Sequence, residues 1–102
     1  MILTRAECNE RLGTVTGAAP VDDFNTIHSR AGLGTVGTVT LDEILKERHL
    51  ELADEGQRIF DIKRLKETIE GFDYDANELV LPIPLREINA VGASILQQND
   101  GY

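Results

Sequence analysis

The run from Thr40 to Lys66 constrains this chain more than any other stretch. Thr40-Leu41-Asp42-Glu43 is a capping box: the Thr40 hydroxyl can accept from the third helical amide while Glu43 reaches back to the Thr40 amide. The spacing beyond it predicts one continuous helix from Leu41 to about Lys66. Ile44, Leu45, Leu52, Ile59 and Ile62 then fall within about 60° of the line through Leu41. Charge agrees with that polarity. Residues 42–55 hold six acids and two bases, and residues 56–66 hold four bases and one acid, which complements the helix dipole. Gly56 is the one weak position, costing roughly 1 kcal/mol against alanine. Arg48 and Glu55 lie about 20° and about 40° from the same apolar line. An unpaired ion in an interior costs several kcal/mol, so both are expected to be paired. Glu55→Ala is accordingly expected to cost about 3 kcal/mol, and Gly56 beside the pair to admit a close backbone.

The rest of the chain also reads as helical, which makes the fold class all-α with long irregular connectors. Leu3, Ala6, Glu10 and Leu12 follow helical spacing and Gly13 stops it, giving a first helix of about 11 residues from the start of the chain. Pro20 opens a second helix to about Arg30, with Val21, Phe24, Ile27 and Ala31 on one face and Gly32 beyond it. Residues 67–78 are acidic and irregular. Leu79-Val80-Leu81-Pro82-Ile83-Pro84 is extended, because each proline pushes its predecessor out of the α region. A short helix follows from Leu85 to about Val91, and the end from Gln97 is turn-rich. The long helix is expected to pack on the first two, with the segment from Leu79 to Tyr102 wrapping them.

Composition removes several functions. The net charge is −8 and no basic stripe offsets it, which disfavours nucleic acid and anionic membrane surfaces. Cys8 is the only cysteine, so neither an internal disulfide nor a cysteine-based zinc set is available. No apolar run reaches the length of a transmembrane helix, and the first residues lack the pattern of a secretory signal. Arg5 and Glu7 also exclude Cys8 as a lipidation site, leaving it an ordinary helix cysteine.

Candidate chemistry is sparse. Gly32-Leu33-Gly34-Thr35-Val36-Gly37 matches the dinucleotide fingerprint by letter, with Glu55 about 20 residues on. It follows a helical pattern rather than a buried strand, so it reads as a helix connector. Glu43, Glu47, Glu51 and Glu55 recur every four residues, but the stripe precesses about 40° per step and cannot converge on one ion. An ion-pair scaffold with Arg48, Arg58 and Arg64 is the better reading, and Arg58, Asp61 and Arg64 add pairs three residues apart. His28 and His49 lie on different helices without metal spacing and are expected at the surface or as caps. Ser29 and His28 are sequence neighbours that diverge by about 100° on a helix, so they form no nucleophile pair. Neither a metal nor a cofactor is expected.

Taken together, these segments resemble the C-terminal part of the SusD/RagB family of nutrient-binding outer-membrane lipoproteins. The resemblance rests on Leu3-Thr4-Arg5-Ala6-Glu7 through Gly13, on Phe24-Asn25-Thr26-Ile27-His28-Ser29-Arg30-Ala31-Gly32-Leu33, and most specifically on Ile44 through Arg64. Within that last stretch Glu47, Arg48, Glu51, Glu55, Gly56, Arg58, Asp61 and Arg64 form the structural signature. Leu81-Pro82-Ile83-Pro84 with Glu87-Ile88, and Gln98-Asn99-Asp100-Gly101-Tyr102, complete the order. Asp54, Ala90-Val91-Gly92 and Asp100 depart from the family pattern.

The resemblance implies that residues 1–102 are a C-terminal segment of a longer protein whose lipidated N-terminus and helical repeats lie elsewhere. It implies a non-catalytic role at the cell-surface face of the outer membrane. There the parent would bind an oligosaccharide or other nutrient and deliver it to a SusC-like TonB-dependent transporter. Sugar sites in the family use aromatic platforms. Phe24 and Phe60 are expected in the core, which leaves Phe72 and Tyr74 in the acidic loop as ligand-contact candidates. A free-standing helical interaction module is the alternative. A carboxylate hydrolase using Glu51 and Glu55 is the remote third reading.

Overall fold

Helix α1 (Ile2–Leu12) ends where Gly13 turns left-handed, φ 64° and ψ 32°, and the amides of Gly13 and Thr14 both donate to the Asn9 carbonyl. The computed structural model describes residues 1–102 and contains five α-helices, one short 3₁₀ turn and no strand. It divides into two units, Met1–Gly56 and Gln57–Tyr102. The all-α expectation holds.

Helix α2 (Pro20–Arg30) has its proline at the first turn, where a missing amide proton costs nothing. At its other end Gly32, at φ 82°, closes a Schellman motif. The Gly32 amide donates to the Ser29 carbonyl and the Leu33 amide to the His28 carbonyl, satisfying carbonyls that the helix leaves open. The glycine-rich stretch after it has no regular structure until α3 begins, so it is a connector and not a phosphate loop. Asn25 secures it from α2: the Asn25 carboxamide donates to the Val36 carbonyl and accepts from the Val36 amide, at 2.9 and 2.8 Å.

Helix α3 (Leu41–Glu51) starts with the expected capping box. It packs on α1 and α2 around Ala6, Phe24 and Ile44, with Val39 covering them. Leu3 and Ile27 extend that buried set. Ala6 has no exposed surface, which permits close approach of the three helices.

The continuous helix from Leu41 to Lys66 does not form. Helix α3 stops at Glu51, residues 52–57 make a turn, and α4 spans Arg58–Leu65. Asp54 at φ 62° and Gly56 at φ 73° are both left-handed, and one such residue ends an α-helix. The charge asymmetry therefore serves two helices, with Asp42 and Glu43 in the first turn of α3 and Lys63 and Arg64 in the last turn of α4. Phe60, expected in the core, is 66% exposed.

Within the second unit, Lys66 ends α4 in a left-handed conformation. Ile69 and Phe72 then exchange backbone hydrogen bonds across a two-residue turn. Its central residues, Glu70 and Gly71, have φ 49° and 88°, the signs a type I′ turn requires. A 3₁₀ turn at Asn77–Leu79 leads into an extended segment, and α5 (Leu85–Val91) follows it. Ile62 and Ile88 are the buried apolar side chains of this unit.

The Thr40–Glu43 cap carries a pH dependence. The Thr40 amide and hydroxyl donate to the Glu43 carboxylate at 2.7 and 3.0 Å. The backbone bond first, then the hydroxyl, hold its pKa below the ordinary glutamate value. A depressed folded pKa means that the stabilisation is complete above the unfolded value and is lost as pH falls through the folded one. An NMR carboxyl titration is expected to place Glu43 below an unfolded glutamate. Glu43→Gln is expected to flatten that part of the acid-side stability profile.

Candidate functional site: a charged frame and a side-chain clamp

Polar groups tie the three helices of the first unit pair by pair. Between α1 and α2, Arg5 donates from Nε and Nη2 to the two carboxylate oxygens of Asp23, at 2.8 and 2.6 Å. Asp23 is 3% exposed, and its hydrogen bonds and charge push the Arg5 pKa up. Gly17 makes room for that grip: a Cβ there would sit 2.9 Å from an Arg5 nitrogen, and φ is 82°. Between α2 and α3, His28 Nδ1 lies 3.1 Å from Glu47 Oε2, with the imidazole stacked on Phe24 at 4.8 Å. Arg30 bonds to Glu51 one turn further along. Between α3 and α1, Arg48 donates to the Thr4 hydroxyl at 3.0 Å.

Asn9 organises the connector between α1 and α2. Its amide nitrogen donates to the carbonyls of Thr16 and Ala18, at 3.0 and 3.1 Å. Its side-chain oxygen accepts from the Thr14 hydroxyl and the Thr16 amide, at 2.7 and 3.1 Å. Those four bonds use both donors and both lone pairs of the carboxamide.

The structure distributes the sequence-derived signature rather than gathering it. Glu47, Glu51 and Arg48 join the helix ties just described. Glu55, expected on the buried face, is exposed in the turn beside Gly56, because the break at residues 52–57 removes it from the helical face. No buried pair depends on it, and the large cost expected of Glu55→Ala has no basis. The open surroundings of Gly56, where a Cβ would meet nothing within 4 Å, also correct the expected close approach. In the second unit Arg58 pairs with Glu67 at 3.2 Å, and Arg64 with the nearly buried Asp61 at 3.0 Å.

The acid stripe has four separate uses or settings: Glu43 caps, Glu47 meets His28, Glu51 meets Arg30, and Glu55 faces solvent. No group of three His, Cys, Asp or Glu side chains is placed to hold a metal ion. His28, expected at the surface or as a cap, is instead a half-buried interhelical partner, while His49 is exposed. Ser29 donates to the Asn25 carbonyl and not to His28. The sequence reading missed Asn9 and the Arg5–Asp23 pair. Their only local signal is a polar side chain among the inward-facing positions of a mostly polar helix, Asn9 with Leu3 and Ala6 on α1 and Asp23 with Phe24 and Ile27 on α2.

Phe72 and Tyr74 lie at the hairpin-like turn of the second unit. Phe72 is 41% exposed, and the Lys66 ammonium sits 5.9 Å from the centre of the Tyr74 ring. A separate shallow cleft of about 340 Å³ in the first unit is lined by Met1, Leu3, Ile27 and Leu52, with Arg30 and Arg48 among its polar groups.

The tail of the second unit is held by side chains gripping backbone. Gln98 accepts from the Ile83 amide and donates to the Ile83 carbonyl, at 2.8 and 2.9 Å. Asn99 donates to the Leu81 carbonyl and Tyr102 to the Val80 carbonyl, both at 2.7 Å.

The sequence profile of the SusD family matches residues 1–80. The chain belongs to the SusD family. A solved SusD-like protein from Bacteroides fragilis NCTC 9343 is similar in fold, with a TM-score of 0.63 and 26% identity. The match covers 99% of this chain and 24% of that one, so this SusD-family chain spans about a quarter of its structural relative. No curated protein matches it. No helix is long and apolar enough to cross a membrane.

Asn9 offers a direct check on the frame. Asn9→Asp would turn an oxygen toward the Thr16 and Ala18 carbonyls in place of a donor. Buried groups left unpaired cost about 1–3 kcal/mol each. The variant is expected to unfold at least about 2 kcal/mol more easily in urea, and more easily than Asn9→Ala, which removes the repulsion along with the bonds.

Proposed function

We propose that this chain is the C-terminal region of a longer, lipid-anchored glycan- or nutrient-binding protein at the outer membrane. In that reading the parent captures an oligosaccharide or other nutrient without transforming it and passes it to a SusC-like TonB-dependent transporter. The observation that carries the reading is the SusD-family match over residues 1–80. The shared fold with a SusD-like protein over almost the whole chain supports it.

The role we assign to residues 1–102 is scaffolding. Apart from the exposed Glu55, their charged signature is consumed in ion pairs and hydrogen bonds, which leaves little of it to meet a ligand. If this region touches the nutrient, Phe72 and Tyr74 are the contacts, since an exposed aromatic face suits the apolar face of a sugar ring. Native gel electrophoresis of the whole gene product through a panel of embedded soluble polysaccharides tests both levels. Retardation by at least one glycan is expected, weakened by Phe72→Ala where the hairpin takes part. Unretarded migration through every gel, together with failure to co-purify an outer-membrane transporter, would contradict the binding role.

A further inference from the structure

Asp100 is the one aspartate or asparagine in the chain that is followed by glycine. Asp100 and Gly101 are the central residues of a turn. The Tyr102 amide donates to the Asn99 carbonyl at 3.4 Å, and Gly101 has φ 92°, the positive sign that a type II turn requires at its third residue. A side chain is excluded at that position, since a Cβ on Gly101 would lie 3.0 Å from the Asn77 Cβ. A turn closed between its first and last residues leaves the amide between its central residues unused, and the Gly101 N–H makes no hydrogen bond within the protein. The Asp100 carboxylate has neither a hydrogen bond nor an ion pair, and both residues are exposed. Asn99 differs on both counts: its carboxamide is committed to the Leu81 carbonyl at 2.7 Å, and an aspartate follows it.

An aspartyl carboxyl is attacked by the amide nitrogen of the next residue when neither group is otherwise engaged and no Cβ hinders the approach. We propose that Asp100-Gly101 is a site of spontaneous isomerisation, and that the product unlatches Tyr102 from Val80. The Gly101 nitrogen gives up its proton and bonds to the Asp100 Cγ. The protonated carboxyl gives up its hydroxyl, so that one water leaves as a succinimide ring closes. Water then adds to the main-chain carbonyl carbon of Asp100, and the bond from that carbon to the Gly101 nitrogen breaks. The net change is a rearrangement, with composition and charge kept and water the only other reactant. The main chain now runs through Cβ and Cγ and is one atom longer, and the former main-chain carbonyl has become the side-chain carboxylate. The enlarged loop no longer closes the Asn99–Tyr102 turn. Tyr102, whose hydroxyl donates to the Val80 carbonyl at 2.7 Å, is carried away with it.

The whole gene product, held folded at physiological temperature and neutral pH and sampled over time, tests this. Each sample is digested and labelled with an isoaspartate-specific methyltransferase. Label is expected to accumulate in the peptide carrying Asp100 at least tenfold faster than in those carrying the exposed Asp54 and Asp73. Asp100→Glu, which keeps the charge but would need a larger ring, is expected to abolish it. Label spread evenly over the aspartates overturns the proposal. So does accumulation tenfold slower in the folded than in the urea-unfolded protein, because the turn would then protect the bond. In the converted molecules, hydrogen exchange over residues 79–83 is expected to rise at least threefold, as in a segment that has lost its partners, while Asp100→Glu aged in parallel keeps the fresh protein's rate. Exchange unchanged at full conversion overturns the unlatching.

Discussion

A carboxylate taken out of water must be met by a donor, and that requirement sets the arrangement of the first unit. Its central cluster is only Ala6, Phe24 and Ile44, a set too small and too smooth to select one alignment of three helices. Asp23 and Glu47 are nearly as buried as the cluster itself, and each takes its partner from a neighbouring helix. A shift of one helix by a turn would leave these carboxylates stranded at a cost of several kcal/mol. Apolar burial supplies the drive to pack, and the charges near it select the alignment.

Much of this fold was legible because its signals are local. Gly13, Pro20 and the Thr40–Glu43 box end or start helices where their chemistry demands. The break after Glu51 was not legible. Leu52 and Ile59 are seven residues apart, close to two helical turns, so the apolar phase runs through residues 52–57 as if the helix were intact. Left-handed Asp54 leaves no trace in that periodicity. With the helix broken, Glu55 and Phe60 lose the face to which the same arithmetic assigned them. Asn9 and Gln98 were illegible for a different reason. Each works through side chain to backbone bonds across 7 to 15 residues, and no local pattern encodes the far partner.

The same distinction bears on function. The residues that identify the SusD family are mostly those that cap, pair and turn the chain, so the resemblance was strong while candidate ligand contacts stayed few. Glu47 and Glu51 are committed to α2, Arg48 reaches α1, and Asp61 is tied to Arg64. A family signature of this kind marks a shape being maintained.

The central claim, that the signature charges are a frame for the helices, is tested most directly at His28 and Glu47. A double-mutant cycle with His28→Ala and Glu47→Ala, read by urea unfolding at neutral pH, isolates their coupling. The frame predicts a coupling of about 1–3 kcal/mol, as befits a hydrogen bond to a nearly buried carboxylate. Coupling within about 0.3 kcal/mol of zero, the additivity of sites that do not interact, would contradict it.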